Sequence, residues 1–356
     1  MGDRSKIDWT DATWNPLRGC SRVSAGCAHC YAEALAARFS DLGQWGHGIA
    51  TRDGGWTGAV HLAEDRLTLP LRWKHLRRIF VTSISDPFHP SVSDEMLDRI
   101  FAVMTLARRH TFQILTKRPA RMRAYLDADD TWLRVARATV AMAVGDLRWS
   151  NPAGTDGWWP LPNLWVGVSV ENQGAADERI PRLLATPATK RFLSCEPLLG
   201  TMDLERPKPG PDLDQGGGAS ICQPWLIQGL DWVIAGGESG PNARPMHPDW
   251  ARSLRDQCDG AGVPFFFKQW GEYLPVGQCL PGHGKILGAT AVKSGRMKLH
   301  CAAPKREVKY AFAECGVDFS ATEDSRLTFR VGKRAAGHLL DGVEHRAFPP
   351  SSSLGV

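Results

Sequence analysis

The chain has 356 residues, 43% of them hydrophobic and 23% charged, with 43 Lys and Arg against 38 Asp and Glu for a formal net charge of +5. That composition excludes a disordered chain, and no apolar run reaches the roughly 18 residues that a membrane-spanning helix needs. The mild basic excess falls short of a dedicated nucleic-acid binder, yet it leaves room for a phosphate-bearing partner. The polar start MGDRSKIDWTDATWN lacks the apolar stretch of a signal peptide, so a cytoplasmic location with reduced thiols and no membrane partner is expected. Nine cysteines, three of them crowded between positions 20 and 30, suit a metal site better than a disulfide framework.

In chain order, the first predicted element is a helix over 31–40, directly after the crowded cysteines. A strand over 78–83 (RIFVTS) precedes a helix over 94–110, whose Ser93-Asp94-Glu95 start reads as a helix N-terminus. A strand over 111–117 (TFQILTK) and a helix over 120–126 follow. After an irregular stretch at 147–162, rich in Trp, Gly and Pro, come a strand over 164–170 (LWVGVSV) and a helix over 173–185. A strand over 191–195 (RFLSC) leads to a second irregular stretch at 207–229, then a strand over 232–236 (WVIAG). The pattern ends with a helix over 248–261, begun by Pro248-Asp249, and a strand over 264–269 (PFFFKQ). Such alternation predicts parallel strands joined by right-handed crossovers: an α/β fold, a partial (β/α)6 barrel over 1–273 with two loop insertions. Beyond Tyr273 the alternation weakens, and 274–356 reads as a small C-terminal appendage.

Every predicted strand runs into a polar cluster, namely SISD at 83, TKRP at 116, SVEN at 169, SCEP at 194, GESG at 237 and KQWG at 268. In parallel barrels the C-terminal strand ends converge on the rim that holds the chemistry. Polar residues also mark ordinary loop starts, but six such clusters at six strand ends point to one functional rim.

Cys20, Cys27 and Cys30 read C-x6-C-x2-C. Three thiolates can bind zinc if His29 or a remote cysteine adds a fourth ligand. Alternatively they hold three irons of a [4Fe–4S] cluster and leave the fourth iron open for S-adenosylmethionine (SAM). The other six, Cys195, Cys222, Cys258, Cys279, Cys301 and Cys315, are scattered and read as buried small hydrophobes, with Cys195 the one at a rim position.

The series TWNPLRGCSRVSAGCAHCYAE, TSISDPFH, QILTKRP, GVSVEN, RFLSCEPLLG, VIAGGESG and FFFKQWGEY resembles the phage and bacterial three-cysteine-motif family related to radical SAM enzymes. The likeness runs from about Asp8 to Tyr273, and the late VGKRAAGHLLDG fits it too. The first cysteine gap is three residues longer than in the common radical SAM motif. The resemblance implies a radical-SAM-like barrel, a [4Fe–4S] cluster on Cys20, Cys27 and Cys30, SAM as cofactor and a reductase as electron donor. It also implies Ser83, Ser85 and Asp86 near the SAM amino group, Lys117 or Arg118 at its carboxylate, and Ser169 and Glu171 at its ribose. Glu196, Glu238 and Lys268 would then stand on the substrate side. AGGESG matches neither a P-loop nor the dinucleotide fingerprint.

The expected substrate is a nucleic acid or nucleotide, with modification or repair of a base as the reaction. Arg-rich stretches at 72–78 and 118–123, the 14 Trp and the phage association support it. Trp158 and Trp159 are the candidates for stacking on an unpaired base, or for pinning their loop. A non-catalytic zinc protein that binds nucleic acid, and a radical SAM enzyme for a peptide or metabolite, remain the alternatives.

Overall fold

A computed structural model describes residues 5–143, 158–205, 226–275, 278, 289–292, 296–299 and 328–350. The main sheet has seven strands: β1 (Ala12–Trp14), β2 (Arg78–Val81), β3 (Thr111–Thr116), β4 (Leu164–Ser169), β5 (Lys190–Cys195), β6 (Trp232–Gly236) and β7 (Phe265–Gln269). They lie side by side in chain order. The β1–β2, β2–β3, β3–β4 and β6–β7 pairs are parallel. Parallel neighbours need crossovers. The main helices are α1 (Tyr31–Arg38), α2 (Asp94–Leu106), α3 (Pro119–Leu126), α4 (Thr131–Met142), α5 (Gln173–Leu184) and α6 (Pro248–Ala261).

The mixed α/β fold is the expected one, but the strand count of six is corrected to seven. The extra strand, β1, is only Ala-Thr-Trp, too short for any periodicity to show. Helix α4 also lies outside the sequence expectation. Its buried face is Thr131, Val135, Ala136 and Thr139, while Trp132 and Val140 are exposed. Two threonines inside and two large apolar residues outside invert the usual stripe. Strand β2 stops at Val81 rather than 83 because Thr82 turns into the left-handed region at φ 59°. At α6 the predicted start holds, with Pro248 in the first turn and Gly262 at φ 67° ending the helix.

The described residues divide into two compact units, one holding those up to 169 together with 178–193, the other holding 170–177 and those from 194 on. In the first, Tyr125 Oη and Arg134 Nε donate to Asp98 at 2.7 and 3.2 Å, which ties α3 and α4 to α2. In the second, the chain end runs back along β7. The Phe267 amide donates to the His345 carbonyl at 2.9 Å and the Ala347 amide to the Phe265 carbonyl at 3.2 Å, occupying main-chain groups of the β7 edge. The predicted insertions at 147–162 and 207–229 lie largely outside the described residues, as do Cys222, Cys279, Cys301 and Cys315. Among the described residues no helix is long and apolar enough to cross a membrane.

Asp341 latches that returning chain to α6. It accepts from Arg252 Nη2 at 2.5 Å and Arg255 Nη1 at 3.1 Å, and Gln278 Nε2 adds a third donor at 3.1 Å. The hydrogen bonds from Arg252, opposed by partial burial and reinforced by Gln278 and the arginine charges, hold its carboxyl well below the ordinary 3.8. A depressed carboxylate adds stability that is complete above its unfolded value and fades as pH falls below it. Asp341→Asn is therefore expected to lower Tm at pH 7 by a few degrees, and the gap from wild type should shrink as pH falls from 4 towards 2. A pH-independent gap in thermal melts would show that the carboxylate charge is not what holds the latch.

Candidate functional site

The three cysteines lie on one loop between the strand pair at Leu17–Arg18 and α1, which starts immediately after Cys30. Gly19 opens the loop at φ +99°, and a Cβ there would stand 2.1 Å from the Ala59 carbonyl oxygen. Only glycine lets the chain turn this close to another backbone. From Gly19 the loop is held to the turn after β2: Gly19 and Ser85 form an isolated parallel bridge, and Ser85 Oγ donates to the Gly19 carbonyl at 2.5 Å. Tyr31 Oη donates to the Ser83 carbonyl, and Ser83 Oγ donates to Asn15 Oδ1 at 3.1 Å.

Asp86 and Arg118 fasten the next part of the loop. Asp86 Oδ1 accepts from the Phe88 amide at 2.9 Å and Thr116 Oγ1 at 2.7 Å; its Oδ2 accepts from the Lys117 amide at 3.1 Å and Arg118 Nη1 at 2.9 Å. Arg118 Nη2 donates to both the carbonyl and the hydroxyl of Ser21, each at 2.9 Å, while Nη1 also reaches Cys20 Sγ at 3.9 Å. The two side chains are only 12% and 9% exposed. An ion pair this enclosed needs its remaining valences satisfied, and here four donors meet the carboxylate. His89, buried beside it, completes the support. Its Nδ1 accepts from the Ser91 amide at 3.1 Å, so the neutral ring carries its proton on Nε2 and donates to Ser21 Oγ at 2.8 Å. Burial first, and then the Arg118 charge, hold this imidazole below its usual pKa against the pull of Asp86.

The thiols feel this setting. Burial, with the Asp86 charge, pushes the Cys20 thiol up to about 11, although Arg118 works in the opposite direction. Burial also raises Cys30, against the pull of the Glu33 and Ala32 amides at the start of α1 and reinforced by Cys27 and Glu33. Arg22 binds Glu33 through Nε and Nη2 at 3.0 and 2.7 Å, and both Cys30 and Cys27 act electrostatically on it. Without metal the Cys20 and Cys30 thiols are therefore protonated at neutral pH, and binding a cluster would displace their protons. The donor set is all sulfur, half-buried, and flanked by two arginines that offset thiolate charge; this suits an iron–sulfur cluster. Among the described residues no group of three or more His, Cys, Asp and Glu converges on one ion. A cluster takes one cysteine per iron, so its ligands need not meet at a point.

Ser169 ends β4 buried, its carbonyl accepting from Arg179 Nη1 at 2.7 Å. Glu171, Glu196, Glu238 and Lys268 belong to the second unit. Glu171 is buried beside Cys195. Glu196 and Lys268 meet as an ion pair, Nζ donating to the two carboxylate oxygens at 2.8 and 2.7 Å. Glu238 is instead bound by Arg244, through Nη2 at 2.7 Å and through Nε and the amide at 2.8 Å. The loops bearing these groups interlock: a Cβ on Gly237 would lie 2.0 Å from the Trp270 carbonyl oxygen, which accounts for the second glycine of AGGESG. Cys195 and Cys258 are fully buried, as expected, and burial raises both thiols. Sequence reasoning missed Ser21, Arg22 and His89, and it placed Thr116, Ser239 and Gln269 in the strand-end clusters without singling them out. The SDPFH segment carries a usable signal for His89, three residues beyond Asp86 in a strand-end cluster.

No curated protein and no solved structure matches the chain. One family model, described as Protein of unknown function (DUF5131), matches residues 4–349, and the chain therefore belongs to that family.

Proposed function

We propose that the protein is a radical SAM enzyme that modifies or repairs a nucleic-acid base or nucleotide, its sheet being the core of a radical-SAM-like barrel. The carrying observation is the cysteine loop fastened to the ends of β2 and β3, which in a parallel α/β sheet is the edge that holds the chemistry. The link to the phage three-cysteine-motif family and a cytoplasmic, reductase-fed setting belong to the same reading. Cys20, Cys27 and Cys30 would hold the cluster. When bound, it supplies one electron to the sulfonium of SAM and so a 5′-deoxyadenosyl radical for hydrogen abstraction. The chain's own part is positional. Arg118 and His89 orient Ser21 and with it Cys20, Asp86 fixes Arg118, and Arg22 and Arg118 offset thiolate charge. Lys117 stands beside this network through its amide, which donates to Asp86 at 3.1 Å.

The nucleic-acid half rests on the net charge of +5 and the motif series. Several arginines expected at phosphates are engaged: Arg78 with Asp11, Arg121 with Asp94, Arg123 with Asp127. Trp159 is pinned, its Nε1 donating to the Leu126 carbonyl at 3.3 Å and its ring 6.0 Å from Phe101, so of the stacking pair Trp158 is the freer to meet a base.

Anaerobic reconstitution followed by SAM and dithionite tests the reading. Release of 5′-deoxyadenosine from protein carrying about four iron and four sulfide is the expected result. Iron-loaded protein that releases none, or protein that takes up one zinc in place of iron, overturns it. Binding to single-stranded oligonucleotides should weaken with salt by about −0.7 in the log–log slope per phosphate contact.

A further inference from the structure

The ends of β5, β6 and β7 carry a polar array in the second unit that the chemistry above does not use. We propose that Glu196, Ser239, Lys268 and Gln269 read the lactam edge of a nucleobase, the ring N–H beside a carbonyl that guanine, thymine and uracil present and that adenine and cytosine lack. This rests on the nucleic-acid half of the proposed function and not on its radical half.

The argument begins with Gln269. Its Nε2 donates to Glu196 Oε1 at 3.2 Å and to Ser239 Oγ at 3.0 Å. Turning the amide over would set its carbonyl against the carboxylate, so the orientation is fixed. That leaves Gln269 Oε1 as an acceptor with no donor among the described residues, on a side chain in a residue only 4% exposed. Buried carbonyl groups are almost always hydrogen-bonded, and an orphan of this kind calls for an occupant. Beside it, among the described residues, Glu196 Oε2 takes a single donor, Lys268 Nζ, and Lys268 has three N–H to distribute over two bonds. The array thus offers two acceptors and a donor side by side.

Charge narrows the ligand. The Glu196 and Lys268 side chains are 19% and 13% exposed and cancel one another. An anion would face Glu196 and a cation Lys268, each without compensation in a partly desolvated place. A neutral edge meets neither difficulty. A lactam gives its N–H to Gln269 Oε1 or Glu196 Oε2 and takes Lys268 Nζ on its carbonyl. Guanine can add its exocyclic amine as a further donor.

The test compares thymine with cytosine, two pyrimidines that differ at this edge, thymine also carrying a C5 methyl group. Full-length protein is titrated into fluorescent eight-nucleotide oligo-dT and oligo-dC at one low salt concentration. The expected result is tighter binding of oligo-dT by about tenfold, and Glu196→Gln should reduce it to the oligo-dC level. The neutral pair Glu196→Gln with Lys268→Met leaves no unpaired charge and should do the same if the single variant folds poorly. Equal binding of the two oligonucleotides by wild-type protein, or a preference that survives both variants, overturns the proposal, as does no binding to either. The same ratio is measured in Cys20→Ala protein. A preference retained there, alongside failure to form 5′-deoxyadenosine in wild type, would sink the radical reading and leave this one standing.

Discussion

Replacing Cys20, Cys27 or Cys30 by Ala, one at a time, is expected to strip most of the iron from anaerobically reconstituted protein, whereas Cys258→Ala leaves the iron content unchanged. The reasoning is one of ligand number. A cluster held by three thiolates already leaves one iron without a protein ligand, so losing a second protein bond exposes the assembly to solvent and exchange. Cys258 differs in kind. It is fully buried on α6, its thiol pushed up to about 12 by burial and then by Asp259, and it behaves as a small apolar side chain. The measurement is iron and acid-labile sulfide per chain for the four variants prepared side by side. Full iron in any of the first three would show that the ligand set is wrong, whatever the activity.

How much of this was legible beforehand depends on whether the signal is local. Strands buried on both faces read as unbroken apolar runs, and LWVGVS, buried at all six positions, is the clearest case. The expected and observed ends of β4, β6 and β7 differ by one residue at most. The cysteine loop was legible as a loop, since its three cysteines stand within eleven residues and the helix after them follows at once. What stayed hidden is pairing at a distance. His89 reaches Ser21 across 68 residues and Arg118 reaches Asp86 across 32, and no periodicity links such positions. The family resemblance implies Asp86 near the SAM amino group. That its carboxylate meets four internal donors is a fact that only the fold could supply. Glu196 and Lys268 were both placed at the rim, but their union as an ion pair depends on β5, β6 and β7 lying side by side.

Arg118→Ala follows from that hidden pairing and should be the most destabilising single change at the site. Removing the guanidinium leaves the Asp86 carboxylate enclosed, with its amide and hydroxyl donors but no opposite charge, and breaking a buried pair in this way costs about 3–5 kcal/mol. It also takes away both Arg118 bonds to Ser21, so that among the described residues the Gly19–Ser85 contact and the His89 bond to Ser21 remain as indirect supports of Cys20. Two separable losses are therefore expected. Urea unfolding of the metal-free protein should show the stability loss, and the iron content after reconstitution should show the loss of loop order. The double variant Asp86→Asn with Arg118→Met distinguishes them. Removing both charges should recover much of the stability, giving a coupling energy well above 1 kcal/mol in the double-mutant cycle. The iron content should stay low, because nothing in the double variant replaces the Arg118 bonds to Ser21. A single Arg118→Ala variant within about 1 kcal/mol of wild type, the size of an ordinary surface pair, would mean that the pair is far more hydrated than its geometry indicates. Normal iron in the double variant would mean that Cys20 is positioned by Gly19, Ser85 and His89 alone.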